Sequence, residues 1–157
     1  MERREISLSH DVYTKHVAIV AEISSDSLER CFGEKLSAMI CRNELMKALK
    51  EVYLFSYLPE IKVQWLSEKL KLEKYKKSDI IIQENTIGKC FYIIKSGSVE
   101  IFKGNSKIRT IGKLEFFGER ALFFEEMRSA TCIAENECEL WALDKANFFE
   151  IIDSNMK

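Results

Sequence analysis

The sequence predicts an α+β domain: a small antiparallel β-roll or jelly roll with flanking helices. Three observations carry that expectation. The apolar residues follow a helical spacing up to about Leu72, and the period shortens to short β-rich runs after the basic stretch Lys74–Lys77. Of six glycines, five (Gly88, Gly97, Gly104, Gly112 and Gly118) fall between residues 88 and 118, so tight turns are confined to the middle of the chain. Turn signals also separate the β-rich runs at the close intervals typical of small antiparallel barrels.

The elements follow in order. Ser24-Ser25-Asp26 offers N-capping oxygens, and Asp26 with Glu29 three residues later has the form of a capping box. Leu45, Met46, Leu49, Val52 and Tyr53 then form one apolar stripe of an amphipathic helix. Pro59 suits the first turn of a further helix, where its missing N–H costs nothing, and Val63, Leu66 and Leu70 supply that helix's buried face. Ile80–Ile82, Cys90–Ile94, Val99–Phe102, Lys107–Ile111 and Glu139–Leu143 read as strands. Between them lie Glu84-Asn85 with Gly88, Ser96-Gly97-Ser98 and Gly104-Asn105 as turns. Asp144 caps a closing helix that carries Phe148, Phe149, Ile151 and Ile152.

Composition excludes several classes of function. The 157 residues carry 24 Lys+Arg against 25 Asp+Glu, a formal net charge of −1, which argues against a basic face for gripping a polyanion. At 46% hydrophobic and 11% aromatic the chain is not disordered. No apolar run approaches the roughly 20 residues that span a bilayer, and no signal peptide is evident. A cytoplasmic location is therefore expected. The five cysteines (Cys31, Cys41, Cys90, Cys132 and Cys138) are widely spaced without a Cys-x-x-Cys pair, so they read as reduced, half-buried small hydrophobes with no metal site. His10 and His16 read as surface residues.

Residues 116–134 concentrate the chemistry. Gly118 lets the backbone turn closely, and Arg120-Ala121-Leu122 starts a short helix whose free N–H groups face a phosphate. Arg128 returns over the same spot with paired guanidinium donors suited to phosphate oxygens. Glu119 would repel a phosphate, but it suits a sugar hydroxyl beside one. Singly, Glu119 and Arg128 fit a surface ion pair and Gly118 an ordinary turn. Together, with Phe117-Gly118-Glu119 followed by Arg128-Ser129-Ala130, they specify a small-anion site. Neither a nucleophile paired with a base nor a metal cluster accompanies it, so no catalytic residues are expected.

Phe117-Gly118-Glu119-Arg120-Ala121-Leu122 through Arg128-Ser129-Ala130-Thr131 resembles the phosphate-binding cassette of the cyclic nucleotide-binding domain family. Met46–Leu72 resembles that family's leading helices. Ile82–Gly88 with Phe91–Val99 resembles its glycine-marked β-roll, and Trp141–Asp144 its exit into the closing helix. The resemblance implies that Glu119 binds the ribose 2′-hydroxyl and Arg128 the exocyclic phosphate. Backbone N–H groups of Ala121, Leu122 and Ala130 would assist. It also implies a regulatory module and not an enzyme.

Ser129 after the cassette arginine, and Ile108-Arg109-Thr110-Ile111 before the cassette, resemble cGMP-dependent protein kinases, where a hydroxyl and an arginine address the guanine edge. The expected ligand is thus cGMP, with cAMP second. The expected partners are a linked serine/threonine kinase domain, whose autoinhibition binding would relieve, and neighbouring copies of the module. Other readings are a cAMP-binding domain of a regulatory subunit, exchange factor or channel, or a structural copy that binds nothing. A DNA-binding regulator is disfavoured by the balanced charge and the lack of a recognition helix.

Arg120 is similar to an arginine that, in apicomplexan cGMP-dependent kinases, contacts a C-terminal helix. The final lid helix is not expected before Lys157. Leu114-Glu115 stands where the family has Gly-Asp, which implies a different turn there. Val20–Glu29 also lines up with Leu140–Phe149 at an offset of 120 residues. Residues 1–45 are accordingly expected to be the remnant of a preceding copy, and 46–157 the domain itself.

Overall fold

The computed structural model describes residues 23–153. The two histidines and the strand half of the Val20–Glu29 repeat segment lie outside the described residues. The chain divides into two compact units, residues 1–36 and 37–157. In the first, helix α1 (Ser25–Phe32) is capped by Ser24, whose side chain accepts from the Ser27 N–H, and it ends on left-handed Gly33. The capping box does not form: the Glu29 carboxylate reaches forward and accepts from the Leu36 N–H, 2.9 Å away.

All but the first residue of α2 (Leu36–Glu51) lies in the second unit, and the helix runs unbroken through residues 45 and 46. Leu45, Ala48 and Leu49 are buried in the main core, so the helix belongs to the larger unit and the division falls near Leu36. The apolar stripe stops short of Tyr53, which is exposed, because the helix gives way to a 3-10 turn at Tyr53–Phe55. Pro59 stands immediately before α3 (Glu60–Lys69), where its fixed φ and absent N–H are harmless.

Eight strands follow: β1 (Lys71–Tyr75), β2 (Ile80–Ile82), β3 (Cys90–Ser96), β4 (Val99–Lys103), β5 (Ser106–Ile111), β6 (Phe116–Phe117), β7 (Thr131–Ala134) and β8 (Cys138–Asp144). All pairings are antiparallel. They form two four-stranded sheets in the orders β1-β8-β3-β6 and β2-β7-β4-β5. A short helix, α4 (Arg120–Phe123), interrupts the roll between β6 and β7, and α5 (Lys145–Asp153) is the last described element. The Asp144 carboxylate accepts from the Ala146 N–H at 2.7 Å, the cap read from the sequence.

Two cores result. One lies between the helices and the first sheet, joining Leu49, Phe55, Leu66, Phe91, Leu122, Leu143 and Phe148. The other fills the roll with Ile82, Tyr92, Ile94, Val99, Phe117, Cys132 and Leu140. Among the described residues no polar or charged side chain is fully buried and no cysteine is bonded. Leu114, where a different turn was expected, takes φ 68°, and the Glu115 carboxylate closes the same turn by accepting from the Gly112 N–H at 2.7 Å. The backbone thus keeps a left-handed form that suits glycine, and leucine bears the strain.

Candidate functional site

A cavity of about 230 Å³ opens on the roll beside α4. Ile82 of β2, Ile101 of β4, Cys132 of β7 and Phe116 and Phe117 of β6 give it apolar walls. Gly118, Glu119, Arg120, Ala121, Arg128, Ser129 and Ala130 supply the segment that closes it, and Arg109 of β5 reaches it from the opposite edge. Eight of the ten residues singled out in the sequence therefore meet on one cavity. Ile108 and Leu122 do not. Ile108 points outward from β5 with 59% of its surface exposed, as strand alternation requires once Arg109 faces in. Leu122 is wholly buried in the helical core, where it anchors α4.

Gly118 takes φ 78°, a conformation that side chains rarely adopt, and thereby turns the chain from β6 into α4. The N–H groups of Ala121 and Leu122, expected to face a phosphate, instead donate to the carbonyls of Gly118 and Glu119 at 3.2 and 3.1 Å. The tight first turn of this four-residue helix thus already engages these two amides.

Arg128 is half-buried and held from two sides. Its guanidinium donates to the Gly118 carbonyl at 3.1 Å and to the Cys90 carbonyl at 2.6 Å. Its backbone is pinned to the β2–β3 loop, donating to Thr86 at 2.8 Å and accepting from Asn85 at 2.9 Å. The guanidinium lies so close over Gly88 that a Cβ there would stand 2.0 Å from Nε. Among the described residues no carboxylate pairs with it. Burial pulls its pKa below the ordinary arginine value, outweighing the opposite pull of nearby groups that include Glu119.

The Glu119 carboxylate and the Arg109 guanidinium likewise hydrogen-bond to no described residue. Arg120 differs. It is ion-paired to Glu126 and lies over the Phe124 ring, 5.7 Å from its centroid. Cys132, in the cavity floor, has its thiol pushed up to about 11 by burial.

The sequence reading missed Ile82, Ile101, Phe116, Phe117, Glu126, Met127 and Cys132 as lining residues. For Ile101 and Cys132 a signal existed in the inward alternation of their strands, whereas Ile82 sits in a uniform Ile-Ile-Ile run. For Glu126 and Met127, in a loop, there was none.

Chemically, the cavity presents three arginines and two glutamates over an apolar floor. That suits one small anion carrying a flat apolar group and a hydroxyl-bearing linker. No group of three or more metal-ligating side chains occurs among the described residues.

The architecture is an antiparallel roll with flanking helices and an arginine-lined cavity beside a short helix. The chain belongs to the cyclic nucleotide-binding domain family, whose pattern it matches over residues 72–155. It is 40% identical over 149 residues to the cGMP-dependent protein kinase of Plasmodium berghei, covering 94% of this chain and 17% of that protein. It is 34% identical over 108 residues to the cAMP-dependent protein kinase regulatory subunit of Yarrowia lipolytica, covering 69% and 29% respectively.

Among solved structures, the regulatory domain of Toxoplasma gondii PKA with cAMP superimposes with a TM-score of 0.66 at 28% identity, over 75% of this chain and 46% of that one. The chain thus spans less than a third of these curated relatives' length. Among the described residues no helix is long and apolar enough to cross a membrane.

Proposed function

We propose that the chain binds a cyclic nucleotide in this cavity, cGMP in preference to cAMP, and passes the binding event to a linked protein kinase domain. One observation carries the reading. Among the described residues Arg128, desolvated and fixed by two carbonyls, has no carboxylate partner, and the Glu119 carboxylate, half-buried on the same cavity, has no hydrogen bond and can accept a hydroxyl. A cyclic phosphate answers the arginine and the adjoining ribose 2′-hydroxyl answers the glutamate. Ala130 lines the same cavity for a backbone contact. Ala121 and Leu122 can assist only if the turn at Gly118–Glu119 reopens, because their N–H groups are already taken.

The preference for guanine rests on Ser129 and Arg109. Ser129 is exposed on the cavity and can bond both a phosphate oxygen and a base amine, and the Arg109 guanidinium at the opposite rim has no hydrogen-bond or ion-pair partner among the described residues. Similarity to cGMP-dependent kinases supports the same choice. Transmission runs through Phe123 of α4, which packs edge-on against Phe148 of α5 at 5.1 Å, so movement of the cassette is felt by the closing helix. The ligand shifts the population toward the state it binds better, and an attached kinase is released. We read residues 1–45 as the end of a preceding copy of the module with its linker helices, and the setting as cytoplasmic, where free cysteines persist.

Calorimetric titration of the 157-residue chain with cGMP and cAMP tests this. The expected result is tighter binding of cGMP by about tenfold, within the roughly 1–3 kcal/mol that a bidentate base contact discriminates. Ser129→Ala with Arg109→Ala should level the two. Tighter binding of cAMP would reverse the base assignment, and binding of neither would overturn the reading.

A further inference from the structure

Arg120 and Glu126 both line the ligand cavity, and their ion pair bridges its two working parts. Arg120 opens α4 directly after Glu119. Glu126 sits two residues before Arg128, in a segment fastened to the β2–β3 loop by the Ile87–Met127 bridge and the Arg128–Thr86 hydrogen bond. The Phe124 ring under the guanidinium holds Arg120 in that direction. Arg120 is therefore a cation at the cavity rim whose charge is spent on a neighbouring carboxylate. The same carboxylate sets a negative charge beside the place an anionic ligand must occupy.

We propose that Glu126 is a positioning residue that restrains Arg120 and so lowers the cavity's affinity for its ligand. This rests on the reading of the cavity as a cyclic nucleotide site. Arg120 and Glu126 line the cavity together, so the guanidinium serves the ligand only as the ion pair opens. Glu126 thus sets the concentration at which the sensor responds. Both side chains are more than half exposed, so the pair contributes little to folding and its effect falls on binding.

The test is a double-mutant cycle on the 157-residue chain, with cGMP affinity measured at low and high salt. Glu126→Gln is expected to tighten binding by about two- to fivefold, the range that couplings of exposed ion pairs span. The gain should shrink at high salt as the ion pair is screened. In an Arg120→Ala background the same substitution should change affinity little. Thermal melting should leave all three variants within a few degrees of the unaltered chain. Unchanged or weaker binding by Glu126→Gln, with the unaltered chain binding normally, would overturn the inference alone. An equal gain in the Arg120→Ala background would also overturn it, by showing plain repulsion and no restraint. Absence of binding by the unaltered chain would overturn the cavity's assignment, and this inference with it.

Discussion

Arg128 owes its direction to a methyl group that is not there. Its guanidinium crosses Gly88 at a distance no side chain allows, and only then do its N–H groups meet the carbonyls of Gly118 and Cys90. Gly88 has no left-handed φ, so alanine is tolerated by the backbone and the conflict falls on the arginine alone. Gly88→Ala should leave the fold intact and weaken cyclic nucleotide binding about tenfold or more, the scale of one charge-assisted hydrogen bond at roughly 1.5–3 kcal/mol. Circular dichroism beside calorimetry checks both halves. An unchanged affinity would show that Arg128 does not hold the ligand in this pose. Arg128→Lys should lose nearly as much, because an ammonium cannot serve two fixed carbonyls and a phosphate in one plane. At Cys132 the buried thiol, raised to about 11, should resist iodoacetamide at neutral pH, whereas exposed Cys31 should react. Mass mapping after a short exposure distinguishes them.

At the scale of elements, legibility followed the strength of the hydrophobic pattern. β3 and β8 are apolar on both faces and stood out in the sequence, as did the cap of α5. β1 did not. It is an edge strand reading Lys-Leu-Glu-Lys-Tyr, and the charges that guard an edge from stray pairing also erase its signature. β6 has two residues, too few for any period, and the four residues of β7 begin where the cassette motif ends, too short a run for their alternation to stand out. The cassette itself was legible because its residue types are unusual in so short a span. The Arg120–Glu126 pair and the grip of carbonyls on Arg128 were not, since both depend on how loops distant in sequence approach each other. The same tertiary logic joins α4 to α5. Phe123 and Phe148 meet edge-on, and Phe148 also touches Phe55 and Phe149. Phe123→Ala removes one aromatic pair from a half-exposed ring, so stability should fall by about 0.5–1.5 kcal/mol. Hydrogen exchange should register more. If α4 speaks to α5 through this contact, ligand should protect the amides of α5 in the native chain and fail to do so in the variant, while affinity changes less than twofold. Equal protection in both would place the connection elsewhere.

Across the whole molecule the charges nearly cancel, which leaves individual placements to decide how acid acts on the fold. The clearest is Glu139 on β8, which pairs with Lys74 of β1 and Lys95 of β3, each at 2.8 Å, and so ties three neighbouring strands of one sheet. Those two lysines, as hydrogen-bond donors first and as charges second, hold its carboxyl down at about 2, against an ordinary value near 4.5. A carboxylate depressed in the folded state stabilises the fold wherever it is ionised in both states, which means above about pH 4.5. As pH falls the unfolded chain takes up the proton first, and the stabilisation drains away between about 4.5 and 2. Below 2 both states are protonated and nothing remains of it. Glu139→Gln removes this dependence at its source, so the variant should be less stable than the unaltered chain at pH 7. The difference should narrow steadily below pH 4.5 and close near pH 2. Urea unfolding at pH 7, 4.5, 3 and 2 measures it directly. A gap that stays constant across that range would mean that Glu139 acts through packing and that its two lysines are ornaments of an exposed surface.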